Sequence, residues 1–150
     1  MKAILKFILS LFKQPEENPL EKPPEKPQEK LKEGQVSPHF SRKEFECSCG
    51  CGFDTVDDRL VDALEKVREH FGKPMVMHCI CRCWKKNKDV GGAEKSQHLY
   101  AHAGDFHIDG VDNKEIYDFI DKEVLPNTGG IGLYEWGVHM DIRHAKARWS

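Results

Sequence analysis

Eight histidines and six cysteines in 150 residues are the features that bear first on chemistry. Such numbers point to metal, to disulfides or to both. His98 and Asp105 form a His-x6-Asp pair, and His139 and Asp141 form a His-x-Asp pair. A catalytic zinc takes three protein ligands and keeps one position for water. Two neutral imidazoles and one carboxylate leave positive charge on such an ion. That charge lowers the pKa of bound water to about 7 and polarises a carbonyl. A further carboxylate beside the metal then takes the proton. Spacing alone does not single these pairs out. His102 with Asp109 repeats the first pattern, and His107 with Asp109 repeats the second. Hydrogen-bonded surface histidines account for such matches as well.

The cysteines fall in two triplets, Cys47-x-Cys49-x-Cys51 and Cys79-x-Cys81-x-Cys83. A strand through 79–83 would turn all three sulfurs one way and Arg82 the other. Facing triplets form disulfides in an oxidising compartment or hold a structural zinc in a reducing one. The pairing stays open, because six cysteines connect in many ways.

These side chains need a scaffold, and residues 36–150 supply its pattern. Ser41-Arg42-Lys43-Glu44 reads as a capping box. Thr55 to Asp58 opens a helix whose apolar face is Leu60, Leu64, Val67 and Phe71, and Gly72 ends it. Pro74 to Met77 opens a short strand. From Ala103 to Asp109 the chain alternates, with Asp105, His107 and Asp109 on one face and Phe106 and Ile108 on the other. Asp112 caps a second helix with Ile116, Phe119, Ile120 and Val124 on its apolar face. Gly129-Gly130 turn into a strand at Ile131 to Tyr134. Val138, Met140 and Ile142 alternate with His139, Asp141 and Arg143 in a last strand. Helices and short strands out of strict β-α-β order predict an α+β fold with a mainly antiparallel sheet.

Composition closes off other classes. Hydrophobic residues make up 39%, with eight Phe and three Trp, enough for one core. The net charge of −2 counts against a nucleic-acid binder held by phosphate contacts. No apolar run reaches the roughly 20 residues of a membrane-spanning helix. Residues 14–35 hold Pro15, Pro19, Pro23, Pro24 and Pro27 among Glu and Lys, and read as a semi-rigid linker. Residues 1–13 place Ile4, Leu5, Ile8, Leu11 and Phe12 at helical spacing beside Lys2, Lys6 and Lys13. That segment reads as a basic amphipathic helix on a membrane surface, a weak secretory signal, or a helix docked on protein.

The wording around the polar pairs carries a family resemblance. Val90-Gly91-Gly92-Ala93, Ser96-Gln97-His98-Leu99, Ala103-Gly104-Asp105 and Val138 to Arg143 resemble the D-alanyl-D-alanine metallo-carboxypeptidases. More closely, the chain is similar to the small peptidases of the Hedgehog/DD-peptidase superfamily, from Pro38-His39-Phe40 to Trp149. The resemblance implies an α+β fold of antiparallel sheet and flanking helices around one zinc. It implies hydrolysis of peptides near D-amino acids, typically in peptidoglycan, by a carboxypeptidase or an endopeptidase. His98, Asp105 and His139 would be the zinc ligands, and Asp141 the general base, with Glu135 as second choice. Arg82 and Ser96 would face the substrate, Arg82 by gripping a carboxylate with two parallel hydrogen bonds. A second, structural zinc at Cys47, Cys49, Cys51, Cys79, Cys81 and Cys83 is the alternative to disulfides there. Two departures stand out: Cys79-Ile80-Cys81 replaces the family's Ser-Gly-Tyr, and Ala101 replaces a glycine. The expected protein is a monomeric cell-envelope enzyme, membrane-associated or exported, and a phage lysis enzyme fits the same features. The rival is a metal-binding recognition module without catalysis.

Overall fold

The computed structural model describes residues 31–150. Helix α1 runs Asp58–Phe71. Asp57 caps it by accepting from the Arg59 N–H, and Gly72 ends it in the left-handed region at φ 62°. Strand β1, Met75–Cys79, follows, then a short helix α2, Trp84–Asp89. A 3-10 turn at Gln97–Tyr100 leads into β2, Ala103–Ile108. Helix α3, Asn113–Phe119, is capped by Asp112 and widens into a π-turn at Ile120–Val124. The hairpin of β3, Gly130–Tyr134, and β4, Gly137–Asp141, comes next, and β5, Ala147–Trp149, closes the order. The α+β class holds, with α2 and β5 added to the expected elements.

The five strands form one sheet in the order β1-β2-β4-β3-β5. All neighbours pair antiparallel except β3 and β5. One face carries the core. Phe106 and Ile108 from β2, Val138 and Met140 from β4 and Ile131 from β3 meet Leu60, Leu64 and Val67 of α1 and Ile116 of α3. Period-two alternation then sends Asp105 and His139 to the other face. Because β2 and β4 lie side by side, Asp105 and His139 are direct register partners.

The segment 79–83 departs from expectation. It is not a strand: β1 ends at Cys79, and the chain bends through Ile80 and Cys81 into α2. Side-chain alternation therefore does not extend over the second cysteine triplet, and its three sulfurs diverge. Ala101 explains the glycine expected at its place. It is buried and sits at φ 54°, ψ 32°, the one non-glycine residue with positive φ among the described residues. That backbone costs a residue with a Cβ about 1–2 kcal/mol.

Candidate metal centre

Asp105 lies between two histidines. Its Oδ2 is 3.2 Å from His98 Nε2, and its Oδ1 is 2.7 Å from His139 Nδ1. The three residues come from the 3-10 turn, from β2 and from β4, and all are largely buried. Each imidazole is held by its other nitrogen. His98 Nδ1 is 3.0 Å from the Ile80 carbonyl oxygen, a group that only accepts, so Nδ1 carries the proton. His139 Nε2 is 3.1 Å from Asp141 Oδ2, so it donates to that carboxylate. The nitrogens left with lone pairs, Nε2 of His98 and Nδ1 of His139, are the two that face Asp105. Two lone pairs and a carboxylate aimed at one another call for a cation between them. Without metal, protons fill that role. Burial opposes charge on His98, but hydrogen bonds to Asp105 and Cys79 hold its imidazole up at about 10. Burial also works against the Asp105 charge, yet hydrogen bonds from His139 and His98 keep its carboxyl well below the usual range. The ligand atoms of Cys79, His98 and Asp105 lie within 4.8 Å of one another, while His139 reaches the group through its 2.7 Å contact with Asp105. His98, Asp105 and His139 together offer two nitrogens and one oxygen, a set that suits zinc with one open position.

Asp141 sits behind His139 and not beside Asp105. It is fully buried. Its Oδ1 accepts from the N–H groups of Gly130 (3.0 Å) and Arg143 (3.1 Å). Its Oδ2 accepts from His139 and from the Arg143 guanidinium. Burial resists its charge, but His139 and Arg143 hold the carboxyl well below its ordinary value. Glu135, the other candidate base, stands exposed in the β3–β4 turn. The turn backbone is pinned by Asn113 Nδ2, which donates to the carbonyls of Tyr134 (3.2 Å) and Glu135 (3.1 Å).

Arg82 reaches the same centre. Its Nη2 is 3.9 Å from Asp105 Oδ2 and donates to Cys79 Sγ at 3.5 Å. Its Nη1 lies 3.4 Å from Asn87 Oδ1. Gly92 makes room for this pair, since a Cβ there would sit 2.2 Å from Asn87 Oδ1. Asn87 in turn donates to the Ala93 carbonyl at 2.9 Å, which ties the 90–93 loop to α2. Ser96 opens the turn that carries His98, through backbone bonds to Ala93 and Leu99.

The duplicate pairs are spent elsewhere. His102 Nε2 is 3.2 Å from Asp57 Oδ2, at the start of α1. His107 pairs with the exposed Asp109 at 3.2 Å and with His78 at 2.8 Å.

The cysteines do not act as two triplets. Cys79 belongs to the metal centre, with its sulfur within 4.8 Å of the ligand atoms of His98 and Asp105. Sequence reasoning grouped it with its neighbours, and the signal that marks it is its place at the end of β1, opposite Asp105. Cys81 is buried and donates to the Thr55 carbonyl at 2.8 Å, and burial pushes its thiol up to about 12. Cys83 joins Cys47, Cys49 and Cys51 in a separate group. All six are free thiols.

Residues 38–141 match the family model described as peptidase M15, a span that takes in His98, Asp105, His139 and Asp141. The chain belongs to the peptidase M15 family. No curated protein and no solved structure matches it. Membership makes it a metallopeptidase by family and agrees with the α+β sheet.

Proposed function

We propose that this M15 peptidase is a zinc enzyme that hydrolyses stem-peptide bonds of bacterial peptidoglycan. The observation that carries the reading is the pair of imidazoles that each engage Ile80 or Asp141 with one nitrogen and turn the other towards Asp105. His98, Asp105 and His139 would hold the zinc. When bound, it polarises the scissile carbonyl and lowers the pKa of a water. Asp141 acts through His139. All its acceptor sites are occupied, so it anchors the ring and fixes the tautomer, the part a carboxylate plays behind a metal-bound histidine. Glu135 is the one of the two carboxylates left with no partner among the described residues. Arg82, beside the centre, supplies the fork that grips a substrate carboxylate.

The reading extends to place. Peptidoglycan lies outside the cell membrane, and residues 1–13 and 14–35 suit an anchor and a tether. Residues 1–30 lie outside the described residues, and at the end of the second segment Gln35 already bridges to Ser41. A phage lysis enzyme would use the same parts.

The test is cleavage of purified muropeptides by the full-length protein, followed by mass spectrometry. Zinc-loaded protein should release a defined peptide fragment, a chelator should stop it, and His139→Ala should have neither zinc at this centre nor activity. Zinc-loaded protein that leaves every muropeptide intact would mean a recognition module and would end the enzymatic reading.

A further inference from the structure

We infer that Cys47, Cys49, Cys51 and Cys83 form a second metal site, a tetrathiolate zinc centre separate from the one built on Asp105. The four sulfurs lie within 4.8 Å of one another. Cys47 Sγ is 3.4 Å from Cys49 Sγ, and Cys49 Sγ is 3.6 Å from Cys83 Sγ. Tetrahedral zinc with sulfurs at about 2.3 Å spaces those sulfurs roughly 3.8 Å apart. The group therefore has the size of one coordination shell.

The local backbone is folded to make it. Gly50 and Gly52 take φ 74° and 78°, so the chain doubles back after each cysteine and returns Cys49 and Cys51 towards Cys47. The Gly50 N–H donates to the Cys47 carbonyl at 3.2 Å, and the Cys47 N–H to the Phe53 carbonyl at 2.7 Å, which closes the loop. Backbone donors also point at the sulfurs. Cys83 N–H donates to Cys47 Sγ and Lys86 N–H to Cys83 Sγ, each at 3.4 Å. Such donors offset the negative charge of thiolates.

Disulfides explain the arrangement less well. They need sulfurs in pairs, whereas here four converge and Cys49 sits between Cys47 and Cys83. The remaining cysteines are held apart, Cys79 at the other centre and Cys81 on Thr55. The site's mechanical effect is clear from the connectivity. It clips the 47–52 loop to Cys83, the residue directly after Arg82, and so holds in place the segment that carries the guanidinium.

The experiment counts metal in the full-length chain purified under reducing conditions in zinc. Wild type should hold two zinc ions per chain. His139→Ala should hold one, and X-ray absorption on it should show four sulfurs at about 2.3 Å. Cys51→Ser, at an exposed position, should fall from two ions to one. Cobalt substitution gives a second readout that needs no variant to lose its first zinc: wild type should show intense thiolate-to-cobalt charge transfer, and Cys51→Ser should lose most of it. The idea is overturned by disulfides among these four cysteines in the native protein, or by zinc in folded His139→Ala without a four-sulfur shell. It is overturned equally if folded His139→Ala holds no zinc. Wild type with a single, all-sulfur zinc would sink the catalytic reading and leave this one standing.

Discussion

Replacing Asp141 by asparagine exchanges one oxygen for an NH2 group and tests what that side chain does for His139. The carboxylate receives donors on both oxygens: the Gly130 and Arg143 N–H groups on Oδ1, the His139 Nε2–H and the Arg143 guanidinium on Oδ2. Asparagine has one acceptor oxygen to offer. If that oxygen keeps the backbone donors, its NH2 faces His139 and demands the other tautomer, which puts a proton on Nδ1, the nitrogen that faces Asp105. If the oxygen serves His139 instead, the NH2 meets two backbone N–H groups in a fully buried site. Loss of a group behind a metal-bound histidine lowers metal affinity about 10–100-fold, or roughly 1.4–2.7 kcal/mol. The buried donors left unmatched cost about 1–3 kcal/mol of stability. Arg143 adds little beyond this, because its side chain is 37% exposed and water screens it. Zinc affinity by chelator competition, urea melts and turnover on muropeptides should be measured together. Zinc affinity should fall with turnover, and excess zinc should restore part of the activity. An asparagine variant with wild-type zinc affinity and turnover reduced a hundredfold would show that Asp141 takes the proton itself, and the anchoring argument would be wrong.

Other expectations concern neighbouring groups. His98 is held up at about 10, so in metal-free protein its stabilising contribution is whole below its unfolded value near 6.5 and fades as pH rises towards 10. Asp105 is held below the usual range, so its contribution is present above about pH 4 and fades as pH falls below that. Urea melts of metal-free protein should therefore show the greatest stability between about pH 4 and 6.5, and a flat profile from 6.5 to 9 would contradict the His98–Asp105 pair. Zinc must displace that proton, so its apparent affinity should rise about tenfold per pH unit through neutrality. Arg82→Lys keeps the charge but loses the planar fork, and should raise KM at least about tenfold with a smaller change in kcat; an unchanged KM removes Arg82 from substrate binding. Glu135→Gln should keep both fold and zinc, and its turnover reports proton transfer directly: a fall of about a hundredfold assigns the role, and no change withdraws it. Deleting residues 1–13 should release the protein from membrane fractions while cleavage of soluble muropeptides persists; a full-length chain that is already soluble refutes the anchor.

Features encoded within one stretch of chain were legible. Helix α1 was readable from Asp57, the apolar stripe of Leu60, Leu64 and Val67, and Gly72, because caps and periodicity are local. That Asp105 and His139 leave the core face of β2 and β4 followed from alternation. What escaped the sequence depends on partners distant along the chain. Strand β5 has three residues and is held largely by Arg148, which donates to the Leu125 and Gly129 carbonyls and pairs with Asp121. The bend after Cys79 divides the cysteines four, one and one, and no spacing rule contains it. The hydrogen-bond partners of Asp141 were hidden for the same reason. Its neighbour in sequence, Arg143, and its neighbour across the sheet, Gly130, fill its oxygens, and only the folded register brings the second one near.

That register has a bearing on when the protein becomes active. Asp105 and His139 are separated by 34 positions along the chain and meet only because β2 zips against β4. A slip of one residue would turn either side chain to the helix-covered face, where Phe106 and Met140 now lie. A half-folded chain thus lacks the full ligand set, however much of α1 or α3 it has formed. On the proposed ligand set, the peptidase therefore has no working centre while it folds, because the third ligand arrives with the central strand pair.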